Sequence, residues 1–254
     1  MKIGVVGAGG VGGYYGAKLA LAGLQVAFLT RGASLSAIRE SGLKLITGTG
    51  THVAKVAASS DASEIGPVDL LLFCVKTYDT DEAMRSAMPL VGDGTTVLTL
   101  QNGVDNRERI AERVGAGRAI SGACYVSSEV ESPGVIRHKS GEGKVIFGEP
   151  DGAETPRVLG IDKAFASAGI PSEVSRDINT VLWKKMAWVC SVAGMNCISR
   201  LPIGPVMETE ASRAMFRRML REIMALANAE GATLPDAFEE QMVFNADTWD
   251  KALV

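Results

Sequence analysis

Histidine and cysteine are scarce in this chain, with two histidines and four cysteines in 254 residues. Cys74, Cys124, Cys190 and Cys197 stand in apolar or helix-like surroundings without the paired spacing of a metal site. No metal centre is expected, and the thiols read as reduced and buried. Charge of one sign is also lacking: 26 Lys and Arg stand against 29 Asp and Glu, a formal net charge of -3. That balance excludes the broad basic face of a nucleic-acid binder. No apolar run approaches the roughly 20 residues that a membrane span requires. The first residues already read as a core strand, which leaves no place for a signal peptide. Internal repeats and low-complexity tracts are missing too. A soluble, cytoplasmic globular protein is expected, and 46% apolar with 22% charged residues is ordinary for one.

What is present begins with glycine. Met1-Lys2-Ile3-Gly4-Val5-Val6 runs into Gly7-Ala8-Gly9-Gly10-Val11-Gly12, then into an Ala- and Leu-rich stretch up to Gly23. Strand, glycine-rich turn and helix follow in order, and Gly7, Gly9 and Gly12 fit G-x-G-x-x-G. Gly7 permits the tight turn, Gly9 lets a pyrophosphate approach the backbone, and Gly12 lets the helix pack on the strand. The helix N-terminus then offers its unpaired N–H groups to the phosphates. A bare structural turn could use the same glycines, but a second strand, Gln25 to Thr30, follows at the distance a dinucleotide site needs. An NAD site usually carries Asp or Glu at the end of that strand, about 20 residues on, to accept from the ribose 2′-OH. This chain has Leu29-Thr30-Arg31-Gly32 and no carboxylate. Arg31 either presents its guanidinium fork to a 2′-phosphate or is an ordinary solvated arginine. The first reading makes the cofactor NADP, bound as NADPH.

Along the chain, a helix is expected from Ser34 to Ser41, then a β-hairpin of residues 42–46 and 52–56 around Thr47-Gly48-Thr49-Gly50. Asp69 to Val75 is a continuous apolar run, the pattern of a parallel strand buried on both faces. It ends in Lys76-Thr77-Tyr78, at a strand's carboxyl end, where ligands bind in open α/β sheets. Asp79 to Met88 reads as helix. The next buried strand, Thr95 to Leu100, leads through Gln101-Asn102-Gly103 into a helix ending at Arg113. Ala119 to Val126 is a strand, and Gly134 to His138 and Lys144 to Gly148 read as two antiparallel strands joined by a Gly-rich turn. A helix from Arg157 to Ala168 and a short strand ending at Val174 complete a nucleotide-binding domain over residues 1–174. Residues 175–254 read as helix after helix.

In the helix from Ile178 to Cys197, an advance of about 100° per residue puts Ile178, Leu182, Val189 and Val192 on one face, with Lys185 in its middle. Lys184 points away, toward Thr180, Trp188 and Ser191. A lysine centred on an apolar face is costly unless it snorkels to water or meets a counter-ion or substrate. Farther on, Arg213, Arg217, Arg218 and Arg221 recur at helical spacing among Glu208, Glu210 and Glu222, the pattern of a solvated face. Met215, Met219, Ile223 and Leu226 form the opposite, apolar stripe, for core or subunit contact. His52 and His138 lie in or beside strand-like runs and read as structural or surface residues.

Five segments in this order carry a resemblance: Gly7-Ala8-Gly9-Gly10-Val11-Gly12, Arg31, Val75-Lys76-Thr77-Tyr78, Leu100-Gln101-Asn102-Gly103-Val104 and Leu182-Trp183-Lys184-Lys185-Met186. Together, from the first residue to about Pro205, they resemble the ketopantoate reductases (2-dehydropantoate 2-reductases). The resemblance implies a Rossmann-type doubly wound α/β sheet in the N-terminal domain and an all-α C-terminal domain. It implies NADPH-dependent reduction of the ketone of ketopantoate, a 2-oxo acid, to pantoate in pantothenate and coenzyme A biosynthesis. Lys185 matches the family's catalytic lysine, the general acid, and Asn102 the asparagine that contacts cofactor and substrate. Lys76 matches the lysine near the cofactor's phosphates and ribose. Ser128 falls where a backbone contact to the cofactor is made, and Ala8, Gly10 and Val11 lie within the matched glycine motif. A homodimer is the expected assembly.

The chain also departs from the family. Asparagines expected four and eight residues after the lysine are replaced by Val189 and Ala193, and one expected near Ile203 is missing; Asn196 and Ser199 are the nearest polar candidates. The family's closing C-terminal segment, with its serine and acidic residue, has no counterpart up to Val254, so the chain reads as incomplete or shortened. Two alternatives follow. One is a related NADP-dependent 2-oxo or hydroxy acid dehydrogenase with another substrate; the other is a non-catalytic NADP-binding regulator.

Overall fold

The computed structural model describes residues 1–248. Two compact units are formed, Met1–Ile178 and the residues from Asn179 onward. The first begins β1 (Lys2–Val6), α1 (Gly10–Leu21), β2 (Gln25–Leu29), α2 (Gly32–Ser41), β3 (Leu43–Thr47), β4 (Gly50–Ala54), β5 (Ala57–Ser59) and α3 (Ala62–Ile65). It continues with β6 (Val68–Phe73), α4 (Thr80–Ala87), β7 (Val91–Thr99), α5 (Asn106–Val114), β8 (Ala119–Ser132), β9 (Val135–Gly148), α6 (Pro156–Ser167) and β10 (Ser172–Val174).

Six strands run parallel in the order β5-β2-β1-β6-β7-β8, the doubly wound Rossmann-type arrangement. The chain leaves β1 toward β2 on one side and returns to β6 on the other, which opens a crevice at the carboxyl end of β1. Central strands bury both faces, as their unbroken apolar runs require. In β6, Leu70 and Leu72 pack with α1 and α6 residues such as Tyr15, Leu19 and Phe165. Leu71 and Phe73 pack on the other side with Met84 of α4 and Ile110 of α5. The hairpin β3–β4 extends the sheet through a parallel pairing of β3 with β9.

The two strands expected at 134–138 and 144–148 are one. β9 is continuous and antiparallel to β8, and the glycines do not turn the chain. Gly141 and Gly143 hold φ of +84° and +71°. The register slips opposite them, between Tyr125 and Ser128, so the left-handed residues are absorbed as bulges within a long ribbon. His138 lies on that ribbon, its ring 5.0 Å from that of Tyr14 and its Nε2 2.9 Å from the Gly141 carbonyl.

A clamp ties the end of β9 to the start of α6. Glu149, 4% exposed, accepts from Arg157 Nε at 2.6 Å and Thr155 Oγ1 at 2.6 Å, and from a second Arg157 nitrogen. The Arg157 guanidinium beside it holds the Glu149 carboxyl below its ordinary range. Because the folded value is depressed, this contribution is complete above the unfolded Glu pKa of about 4.3 and is lost as pH falls through the folded value. Glu149→Gln should cost about 2–3 kcal/mol at neutral pH, below the range for a fully buried pair because Arg157 is 28% exposed. Thermal melts at pH 7 and pH 3.5 check this: the gap between wild type and variant should narrow at the lower pH.

The second unit holds α7 (Ile178–Ser199), α8 (Ile203–Val206), α9 (Glu210–Ala229) and α10 (Ala237–Thr248). Of residues 236–250, those from Ala237 to Thr248 form α10, and the last two lie outside the described range. The packed stripe of α9 is Phe216, Leu220, Met224 and Ala227. It is not the Met215-Met219-Ile223-Leu226 stripe of the periodicity reading, since Met215 and Leu226 are 42% and 52% exposed. The basic face is not simply solvated either. Arg217 and Arg221 share Glu239 of α10 at 2.7 Å, Arg217 also holds Glu240 at 2.7 Å, and Arg213 pairs Asp247 at 2.7 Å. Helical spacing places these arginines on one face of α9, but only the fold brings the acidic face of α10 against them.

Candidate active site

The glycine turn follows β1 at the switch point. Gly7 holds φ of +96°, a left-handed conformation that glycine adopts without strain. Its N–H donates to the Leu29 carbonyl at the end of β2, at 3.2 Å, while Cys74 N–H donates to the Val6 carbonyl at 3.0 Å. A methyl on Gly12 would overlap the Gly7 carbonyl oxygen, and one on Gly10 the Ser128 carbonyl oxygen. A methyl on Gly9 would meet nothing within 4 Å. No side chain caps α1 at Gly9, and no acidic residue lies in its first turn. An uncapped helix start, reached over an open glycine and free of competing carboxylates, fits the pyrophosphate of a dinucleotide.

The residues singled out in the first unit gather at this end of the sheet. Ala8 lies in the turn and Gly10, Val11 and Gly12 open α1; Arg31 follows β2 as the N-cap of α2; exposed Lys76 follows β6; and exposed Asn102 follows β7. Ser128 joins them through its carbonyl against Gly10.

Three side chains that organise the site escaped the sequence reading. Gln101 is buried and donates to the Val75 carbonyl at 3.0 Å and to Thr80 Oγ1 at 2.9 Å. It thereby locks the loop after β6 to the end of β7. Asn106, also buried, donates to the Asn102 carbonyl at 3.0 Å and fixes the loop that carries Asn102. Glu82 pairs with Arg31 at 2.8 Å. The polar ending of the Thr95–Leu100 strand was a signal for Gln101; for Glu82, 51 residues from its partner, there was none.

The four cysteines are free thiols, but against the expectation of burial Cys197 is exposed and Cys74 and Cys190 are half-buried residues, with Cys124 alone buried. Burial, with Cys124 nearby, pushes the Cys74 thiol well up, so it stays protonated. Among the described residues no group of three His, Cys, Asp or Glu could hold a metal ion, and no helix is long and apolar enough to cross a membrane. A shallow depression of about 610 Å³ is lined by Arg107, Gly117, Glu149, Asp151, Thr155 and Arg157. It takes in the Glu149 clamp and none of the residues above.

Lys185 belongs to the second unit, half-buried near the middle of α7. Two faces of this helix carry buried residues. Thr180, Trp183, Ala187, Ser191 and Met195 are buried, and a methyl on Gly194 would strike Met219 of α9. Trp188 meets Phe216 edge-on at 6.4 Å. The opposite face carries Lys185 between Ile178 and Leu182, which are buried, and Val189 and Val192, which are half-buried; Ala193 is exposed. Thr180 is tolerated on the packed side because its hydroxyl accepts from Thr233 N–H at 3.2 Å. The polar candidates farther along have structural work. Ser199 Oγ donates to the Met195 carbonyl at 2.7 Å. The Asn196 amide, in the orientation that satisfies it, donates to the Val192 and Leu201 carbonyls at 3.2 Å. Ile203 is a core residue, 1% exposed.

Residues 3–152 match the family model described as ketopantoate reductase PanE/ApbA, and residues 177–251 match its C-terminal counterpart. A 2-dehydropantoate 2-reductase of Mesorhizobium japonicum is 32% identical, across 92% of this chain and 78% of that one. The crystal structure of a PanE/ApbA family ketopantoate reductase from Ralstonia eutropha JMP134 superposes with a TM-score of 0.91 at 34% identity, covering 100% of this chain and 83% of that one. A 2-dehydropantoate 2-reductase from Geobacter metallireducens GS-15 gives 0.92 at 32% identity, covering 100% and 85%. With both units matched by its models, the chain belongs to the ketopantoate reductase family, oxidoreductases acting on a CH–OH group.

Proposed function

We propose that this protein reduces the ketone of ketopantoate to pantoate with NADPH, in the cytoplasm, as a step of pantothenate and coenzyme A biosynthesis. The observation that carries the reading is the crevice at the end of β1, where an open Gly9 and uncapped α1 stand with a basic residue, Arg31, at the end of β2. When bound there, the cofactor supplies the hydride. Gly7 to Gly12 hold its pyrophosphate, Ser128 contacts it through the backbone, Lys76 neutralises phosphate charge, and Arg31 reads the 2′-phosphate. Asn102, on a loop pinned by Asn106 and Gln101, orients substrate beside it.

Lys185 is the general acid in this reading. As negative charge grows on the carbonyl oxygen, a cationic donor within hydrogen-bonding reach stabilises it and supplies the proton. Its position supports this role: it is half-buried on an apolar stripe of α7 between Leu182 and Val189, where an ammonium is costly unless it meets a charged or polar partner such as a substrate. Exposed Met215 and Leu226 on α9 support a homodimer.

A second reading keeps the reaction and changes the substrate. Val189 and Ala193, one and two turns beyond Lys185, offer no hydrogen bond and favour a 2-oxo acid with an apolar substituent. The loss of NADPH absorbance with ketopantoate, beside a panel of other 2-oxo acids, tests both. Turnover with ketopantoate at a kcat of at least about 1 s⁻¹ is expected. Turnover only with an apolar 2-oxo acid would select the second reading. Silence across the panel, with NADPH still bound, would sink both.

A further inference from the structure

We propose that Glu82 and Arg31 form a two-sided reader of the adenine ribose, so that the site accepts both NADPH and NADH with a narrow preference. This rests on the reading of the β1 crevice as a dinucleotide site. The carboxylate that an NAD site keeps at the end of β2 is missing from this chain, yet the fold supplies one from elsewhere. Arg31 caps α2 after β2, and Glu82 lies in the first turn of α4 after β6. β2 and β6 are the two neighbours of β1. The 2.8 Å contact from Arg31 Nη1 to Glu82 Oε1 therefore spans the crevice that opens beside the glycine turn.

Each cofactor meets one favourable and one unfavourable partner in this pair. A 2′-phosphate gains the remaining donors of the Arg31 fork, whose side chain is 77% exposed. It also comes within a few ångströms of the Glu82 carboxylate, a like charge. A 2′-hydroxyl donates to the second Glu82 oxygen, the hydrogen bond that NAD sites use. The Arg31 contact meanwhile holds Glu82 in place. Both side chains are largely exposed, so solvent and salt screen these effects and the discrimination stays small.

The test is titration calorimetry of NADPH and NADH against the wild type, Glu82→Gln and Arg31→Gln at one ionic strength. Glu82→Gln should tighten NADPH and weaken NADH by about three- to fivefold each, widening the ratio of dissociation constants by about ten- to twenty-five-fold. Arg31→Gln should shift the ratio the other way. If Glu82→Gln changes both constants by the same factor, or neither, while Arg31→Gln weakens NADPH, the paired reader is wrong and the NADPH site stands. If Arg31→Gln leaves NADPH binding untouched, or neither dinucleotide binds the wild type, the cofactor reading falls and the proposal with it.

Discussion

Replacing Lys185 with alanine is expected to lower kcat for the preferred 2-oxo acid by about 10²- to 10⁴-fold, the usual contribution of a positioned general acid. The NADPH dissociation constant should stay within about twofold of wild type, because the nucleotide site is built by other elements. The reasoning starts on α7. That helix buries Trp183, Ala187, Ser191 and Met195 on the side opposite the Lys185 face, so truncating Lys185 leaves those packed residues in place. Lys184 is the internal control: it is exposed and off that face, and Lys184→Ala should leave kcat within about twofold. Equal losses in turnover and in NADPH binding for Lys185→Ala would argue against an acid and for a structural or cofactor-binding lysine. Comparable losses in the two lysine variants would remove the face argument altogether.

The second large effect separates two glycines of one motif. Gly12→Ala should destabilise the protein by about 2–4 kcal/mol, lowering the melting temperature by about 5–15 °C. The new methyl would overlap the Gly7 carbonyl oxygen and stand 3.0 Å from Cys74 Cβ and 3.1 Å from Val5 Cγ1, so the helix must shift away from its strand. Gly9→Ala should leave the melting temperature within about 2 °C. Its backbone, at φ -79° and ψ -172°, is extended, and its methyl has open space. NADPH should nonetheless bind at least about tenfold more weakly, since the methyl occupies the approach to the helix N-terminus. Melting curves with and without NADPH read both quantities. A Gly9→Ala protein that binds NADPH as the wild type does would move the pyrophosphate elsewhere.

How much was legible in advance varied with the range of the interaction. The strand, glycine turn and helix at residues 2–21 are encoded locally: an apolar run, three glycines with three steric tasks, and an alanine-rich stretch. The buried strands around Leu71 and Leu98 announced themselves in the same way, by runs apolar on both faces. The reading was incomplete where one pattern admits two packings. α7 buries residues on both sides: the apolar stripe found by periodicity is buried at Ile178 and Leu182, and the other side, which the pattern did not mark, buries Thr180 and Ser191. In α9 two neighbouring stripes are equally apolar, and of the two uses open to the Met215 stripe, core or subunit contact, the structure rules out only the first, since Phe216 and its stripe form the core. Gly141 and Gly143 looked like a turn because positive φ is the usual mark of one; opposite an irregular β8 it became a bulge.

The composition, glycine spacing and strand runs of this chain were enough to predict a nucleotide-binding α/β domain, a helical domain after it, and the glycines and Arg31 as candidates, while the family resemblance supplied Ser128 and the roles of Lys76, Asn102 and Lys185. Each of those signals lies within one element or at its end, where residue type and spacing act directly on backbone geometry. Tertiary structure alone brought Glu82 to Arg31, Gln101 to Val75 and Thr80, and Glu239 to Arg217 and Arg221. These partners stand on different elements, and which carboxylate or amide meets which cation or carbonyl depends on strand order and helix packing rather than on any local pattern.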